Sequence, residues 1–236
     1  MATHDQLTEW AGLGHVARAR RDVVAGWRIP DFMKVQLVEV GIPVAPRLIE
    51  RVVIQSEADP GLLTSRGPLY RLTELADPDE PADRSSFGVA PETGAVYFVM
   101  PDGEAWFANS SVDVWLDVLH RYGSRVTASE LLSEPDGPEE YLSEEHEEQA
   151  FAELNRLAEE LKEVDPASFK GYEGFLWPGL LDRWLTDSQW VCQLVSVTGC
   201  EGFRGVRSRA PVRWSRRFDR RVSGPIGRSD DAERGQ

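Results

Sequence analysis

Apolar residues follow a helical period most clearly in residues 111–122. Four of them fall at positions i, i+3, i+4 and i+7: Val112, Trp115, Leu116 and Leu119. Residues at this spacing share one face of a helix. The pattern therefore predicts an amphipathic helix that starts at Ser111, with Ser110 and Asp113 resembling a capping box, and that ends at Gly123.

A shorter helix is predicted for residues 31–40. Pro30 precedes this stretch and Gly41 follows it, and both residue types favour helix boundaries. Phe32 and Val35 fall at helical spacing, together with either Gln36 or Glu39. We therefore predict one short helix over these residues.

A long acidic helix is predicted for residues 144–163, where the chain breaks at Asp165 and Pro166. Its apolar residues form one stripe at helical spacing, which we expect to face the core: Phe151, Leu154, Leu157, Ala158 and Leu161.

Residues 87–108 have the pattern of strands joined by tight turns. Apolar and aromatic runs at 87–89, 95–100 and 104–108 are separated by Pro- and Gly-containing turns. A short strand is expected near residues 69–72, within the polar and acidic segment 58–86. Strands that follow one another through short turns pair antiparallel, so the predicted fold class is α+β, an antiparallel meander flanked by helices.

Composition and charge predict a globular, acidic protein. Hydrophobic residues make up 41% of the 236 residues, and the net charge is −14. Residues 188–236 contain ten arginines and five acids, a charge of +5, so residues 1–187 carry the balance of −19. We therefore divide the chain into a folded domain, 1–187, and an Arg-rich extension, 188–236, that we expect to be flexible. An acidic body of this kind is unsuited to binding nucleic acid or anionic membranes.

The chain is expected to be cytoplasmic. No segment approaches the ~20 apolar residues of a membrane helix, and the N-terminus lacks the basic and apolar regions of a signal peptide. The two cysteines, Cys192 and Cys200, are too few for a disulfide framework.

Motifs for catalysis are absent, and we expect no enzyme activity, cofactor or metal. The sequence lacks a G-x-S-x-G elbow, a phosphate loop and an H-E-x-x-H pair. His120 is interpreted as a residue of the last helical turn that interacts with the helix dipole. An alternative is an acid/base or metal enzyme that uses the carboxylates around His146, although neighbouring helical residues point in different directions.

The acidic run that ends at Glu148 has two interpretations. It is either a solvated loop and helix start, where acids favour the helix dipole, or a negative surface for a basic partner. The candidate partner-binding residues are Glu139, Glu140, Glu144, Glu145, Glu147 and Glu148.

Residues 213–221 interleave arginine with Trp214 and Phe218, a combination that can stack on single-stranded nucleic acid. The alternative, which we favour, is a solvated tail attracted to the acidic body. We therefore expect no binding of nucleic acid by the rest of the chain, and this tail is the one candidate for it.

Several short motifs, taken in order, resemble the SUKH superfamily, and most closely its fourth group of bacterial immunity proteins. They are the aromatic-led helix that runs into Gly41-Ile42-Pro43, the segment Glu92-Thr93-Gly94 before a Val-Tyr strand, the Asn109-Ser110-Ser111 helix start, and Asp165-Pro166 before a terminal helix. The resemblance covers about residues 31–187.

This resemblance implies a non-catalytic α+β protein that binds and blocks a toxin, in many cases one that acts on nucleic acid. It carries over no catalytic residue. Asn109, Ser110 and Ser111 match the most recognisable motif, and we interpret them as a structural cap that satisfies free amides at the helix start. The alternative function is a non-catalytic scaffold that binds host proteins.

Overall fold

A computed structural model describes residues 1–45, 48–76, 84–132, 144–172 and 174–186. The helices of these ranges are α1 (His4–Ala11), α2 (Arg21–Val24), α3 (Asp31–Glu39), α4 (Val112–Ala128), α5 (Glu144–Val164) and α6 (Leu176–Thr186), with a 3-10 helix at Pro166–Phe169. The three helices predicted from the hydrophobic pattern correspond to α3, α4 and α5.

The strands form an antiparallel sheet and a separate small ribbon. They are β1 (Val16–Ala17), β2 (Ile42–Pro43), β3 (Arg51–Val52), β4 (Tyr70–Arg71), β5 (Thr73–Ala76), β6 (Arg84–Val89), β7 (Val96–Val99) and β8 (Ala105–Asn109). β1 pairs with β2, whereas the larger sheet has the order β3-β5-β6-β7-β8, with β4 also paired to β6. The predicted α+β class and the meander, which is β6 to β8, are confirmed. The pattern did not predict β3 or β5.

The core lies between the meander and α4. The ring of Phe87 on β6 lies 5.1 Å from that of Phe98 on β7 and 5.1 Å from that of Trp115 on α4. Farther along α4, Tyr122 contacts Trp177 of α6 at 5.8 Å. Burial of each such side chain contributes roughly 1.5–3 kcal/mol, so these aromatic contacts hold the helices on the sheet.

α4 is longer than predicted, because Gly123 does not end it. The helix continues to Ala128, and Gly123 is buried within it. The ring of Trp10 from α1 lies where a side chain at Gly123 would project, so a Cβ at this position would overlap the ring. The glycine therefore lets α1 approach α4. His120 is accordingly not in the last turn, and burial lowers its pKa.

The N-terminal elements were not predicted, although the sequence contains a signal for α1. Thr3 and Gln6 form a capping box, in which the Thr3 hydroxyl accepts from the Gln6 amide and the Gln6 side chain accepts from the Thr3 amide. Leu7 is fully buried. This helix packs on α4, which the sheet, α3 and α5 also contact.

The residues at helical spacing in the sequence, Phe32 and Val35, do not form the buried face of α3. Met33 and Leu37 face the core, whereas Phe32 and Val35 are 53% and 48% exposed. The turn between β6 and β7 explains why the side of α3 with Met33 is buried, because Gly94 of this turn lies directly against the sulfur of Met33. Apolar residues occur on both sides of this helix, and the sequence pattern alone did not select the buried side.

The extension 188–236 lies outside the described residues, so the division of the chain at residue 187 stays a prediction. Residues 77–83, the most acidic part of the polar segment 58–86, also lie outside them. Within the described ranges, no helix is long and apolar enough to cross a membrane.

Substitution of Gly123 by alanine tests the contact between α1 and α4. Alanine is favoured over glycine inside a helix by about 1 kcal/mol. Here the added methyl group displaces Trp10, so we expect Gly123→Ala to lower the free energy of unfolding by roughly 1–3 kcal/mol in urea denaturation. Arg121→Ala, at an exposed position of the same helix, is the control and is expected to change it by less than about 0.5 kcal/mol. A stabilised Gly123→Ala variant would contradict the packing.

Candidate partner-binding surface

The acidic partner-binding residues predicted from sequence lie at the start of α5. Glu144 and Glu147 occupy its first turn, and the Glu145 and Glu148 side chains are exposed. Glu139 and Glu140 lie outside the described residues. The structure therefore places four of the six candidates within two turns of one helix.

The rest of α5 has a different electrostatic environment. Arg125 of α4 contacts Glu160 at 2.6 Å and Glu153 at 3.9 Å, and the hydroxyl of Ser129 donates to Glu153 at 2.7 Å. The described partner of Glu145, in contrast, is the neutral amide of Gln149 at 3.2 Å. Of the described side chains, Glu153 and Glu160, which face α4, are thus compensated by a cation, whereas Glu145 contacts a neutral amide.

The core contact of α5 fixes the orientation of this charged end. Leu154, Leu157 and Leu161 are buried, and Ala158 is partly buried, as the apolar stripe predicted. Phe151 is the exception, because its side chain is 51% exposed. It lies three residues after Glu148, so an apolar ring borders the acidic end of the helix.

A buried hydrogen-bond network holds α4, α5 and α6 together around Asp165, which is only 4% exposed. Its Oδ2 accepts from Asn109 Nδ2 at 3.1 Å and from the Ser110 amide at 2.8 Å. Its Oδ1 accepts from the Ser110 hydroxyl at 2.8 Å and from the Ala167 amide at 3.2 Å. Trp177 Nε1 donates to Asn109 Oδ1 at 3.1 Å. Four donors thus satisfy one carboxylate away from solvent.

The capping role predicted for Asn109, Ser110 and Ser111 is corrected by this network. Ser111 occupies the N-cap position of α4, but its side chain makes no capping hydrogen bond. The Ser111 hydroxyl instead donates to Asp113 at 2.7 Å. Asn109 and Ser110 bind Asp165, so their role is structural but joins distant segments rather than closing the helix end.

A second charged cluster lies on the sheet, where three arginines surround Glu74 of β5. Arg71 and Arg84 each donate to its carboxylate at 3.0 Å, and Arg51 of the neighbouring strand β3 also donates to it. The hydrogen bond from Arg51 is the largest of the effects that lower the pKa of Glu74 below its usual value. The cluster joins β3, β4 and β6 to β5. The sequence analysis did not identify it, because its members are separated by up to 33 positions along the chain.

Within the described part of the chain, no group of three His, Cys, Asp or Glu side chains is placed to hold a metal ion. An open depression of about 380 Å³ beside α4 and α5 is lined mainly by charged and aliphatic residues: Met1, Asp113, Val114, Asp117, Arg121, Glu163 and Val164.

An antiparallel sheet flanked by helices defines an α+β protein, and the N-terminal end of its helix α5 combines exposed carboxylates with an exposed aromatic ring. A family model described as SUKH-4 immunity protein matches residues 2–183, and the chain belongs to this family of immunity proteins. The match includes α1 and α2, which precede the segment in which the sequence motifs were found. Searches of curated proteins and of solved structures found no match.

Family membership assigns the protein its function, immunity, and a toxin as its partner. Immunity proteins of this kind are generally non-catalytic, in agreement with the lack of catalytic motifs in the sequence.

The Asp165 network predicts that replacement of one carboxylate oxygen strongly lowers the stability of the protein. Asp165→Asn replaces an acceptor oxygen with an amide that faces other donors, and we expect the free energy of unfolding to fall by about 2–4 kcal/mol. Ser111→Ala is expected to cost less than about 1 kcal/mol, because the Ser111 side chain caps no amide. Chemical denaturation distinguishes the two. Equal losses would restore the capping interpretation and contradict the network.

The Glu74 cluster predicts a pH-dependent contribution to stability. Because the folded-state pKa is lowered, the contribution is present above the ordinary glutamate pKa of about 4.3 and is lost as the pH falls through the folded value. Glu74→Gln should therefore be less stable than the wild type by roughly 1–3 kcal/mol at pH 7, with a smaller difference near pH 3. Glu57→Gln, on an exposed loop, is the control. A difference that does not change with pH would contradict the ion-pair assignment.

Proposed function

We propose that this immunity protein blocks a toxin that acts on nucleic acid, by covering the basic site of that toxin with the acidic end of α5. The observation that carries the proposal is the exposed position of Glu145 and Glu148 on a helix whose opposite face is fixed in the core. The same surface would include Glu139, Glu140, Glu144 and Glu147.

The chemistry of the target supports this choice of partner. A protein that binds nucleic acid neutralises phosphates with lysine and arginine, so its active cleft is basic. A surface of carboxylates competes for that cleft by presenting charge of the same sign as the phosphates. Residues 1–187 carry −19, so long-range attraction also favours the approach of a basic toxin.

The two parts of the surface would have different tasks. Exposed carboxylates raise the association rate, by about one or more decades at low salt, but contribute little to lasting affinity. Phe151 beside them supplies apolar area, which lowers the dissociation rate once the surfaces meet. A toxin that acts on nucleic acid must be met in the cytoplasm, which is therefore the proposed location.

Neutralisation of two carboxylates tests the acidic surface. The double variant Glu145→Gln, Glu148→Gln should bind a toxin encoded by a neighbouring gene with an association rate lowered by roughly three- to tenfold at low salt. The dependence of that rate on salt should also weaken. Stopped-flow or surface-plasmon measurements from about 0.05 to 0.5 M salt give both quantities.

The matched control is Glu57→Gln, Asp59→Asn. It removes the same two charges from an exposed loop between β3 and β4 and separates a local effect from the change in net charge. If both double variants bind equally, the α5 surface is not the contact. If the wild type neither binds the toxin nor rescues growth of cells that express it, the blocking mechanism itself is wrong.

A further inference from the structure

The outward face of α3 exposes two apolar side chains of the protein to solvent. Phe32 and Val35 are three residues apart and 53% and 48% exposed, and Glu39 continues the same face one turn later. On the other side of the helix, Met33 and Leu37 are buried. We call the face formed by Phe32, Val35 and Glu39 the outer stripe of α3.

A helix with apolar residues on both sides is typical of one that is covered on both sides. The inner side of α3 is covered by the β6–β7 turn and the core. The outer stripe combines an aromatic ring and a branched aliphatic side chain on one helix face, which is the composition of an interface centre rather than of a solvated surface.

The ion pairs on α3 and next to its N-terminal end contain equal numbers of each sign. Lys34 lies 3.0 Å from Asp31, Arg21 lies 3.0 Å from Glu39, and Arg28 lies 3.5 Å from Glu92. Three cations therefore accompany three anions. This local balance contrasts with the strongly acidic charge of residues 1–187 as a whole.

The ion pair of Arg28 and Glu92, next to the N-terminal end of α3, has a fixed position. Glu92 has φ of 63°, a left-handed conformation that is unfavourable for a residue with a side chain. Its amide donates to the carbonyl of Arg28, and the close approach of Gly94 to Met33 seats the same turn against α3. The Arg28–Glu92 pair is thus positioned by two contacts besides its own attraction.

We propose that the outer stripe of α3 is the contact between two copies of this protein. In a two-fold pair the same patch lies on both partners, so it must be complementary to itself. A patch of one sign repels its own copy, whereas an apolar centre with balanced ion pairs does not. A basic toxin would not be attracted electrostatically to this patch, because the patch contains as many cations as anions.

This pairing uses no residue of α5, because the stripe is formed by α3 alone. A pair of copies would therefore carry two acidic α5 ends. The apolar centre is small, so the pairing is of low affinity, as in other interfaces at the lower end of the size range.

Sedimentation of the full chain tests the proposal. Between about 10 and 500 µM protein, the average mass should rise from 26.5 kDa toward twice that value. Salt screens the repulsion between two acidic copies, so association should be at least about fivefold stronger at 0.5 M than at 0.05 M salt. Val35→Lys, which places two like charges across the two-fold axis, should weaken association more than about tenfold while the fold and toxin binding persist.

Leu13→Lys is the matched control, because Leu13 is a highly exposed apolar residue outside α3, and it should associate as the wild type does. The proposal is overturned if the wild type stays monomeric at the highest concentration. It is also overturned if Val35→Lys associates like the wild type, or if association weakens with salt, as contacts between acidic and Arg-rich segments would. Loss of toxin binding in Val35→Lys, with a monomeric wild type, would show that the stripe docks the toxin instead.

Discussion

One buried carboxylate determines how the helices of this protein meet. Asp165 ends α5, yet its oxygens bind the last residue of β8 and the residue after it, 55 and 56 positions earlier. Through Asn109 the network also reaches Trp177 of α6. A carboxylate removed from water is stable only when its acceptor positions are filled, so three segments must arrive together for any of them to be satisfied. The acidic end of α5 inherits its orientation from this junction.

The sequence predicted the elements whose signal is local. The meander and the cores of α4 and α5 have a period of 2 or 3.6 residues, and that period is a property of a few adjacent positions. Apart from α1, whose capping box is a local signal that was not used, the features that were missed depend on residues distant in sequence. From the sequence, Gly123 predicts the end of a helix. Only the position of Trp10 shows that the glycine instead allows close packing of α1 on α4. α3 has apolar residues on both sides, and only the β6–β7 turn decides which side is buried.

The same limit applies to charge. The sign of the net charge and the position of the acidic run along the chain can be obtained by counting residues, without coordinates. It could not separate acids that are compensated by the fold from those that are not. Glu153 and Glu160 share a helix with Glu145, but Arg125 of α4 lies beside them. Glu74 likewise counts as one more acid until three arginines from three strands are seen to surround it.

The acidic end of α5 and the outer stripe of α3 differ in the interactions that each can form with a partner. The α5 end has excess charge, so attraction acts before contact and is weakened by salt. The outer stripe of α3 and the ion pairs beside it have no net charge, so in the proposed pairing they act only at contact, where removal of apolar area from water outweighs the repulsion between acidic bodies once salt screens it. A single ionic-strength series therefore separates the two proposed contacts, because the one at α5 must weaken under the conditions that strengthen the one at α3.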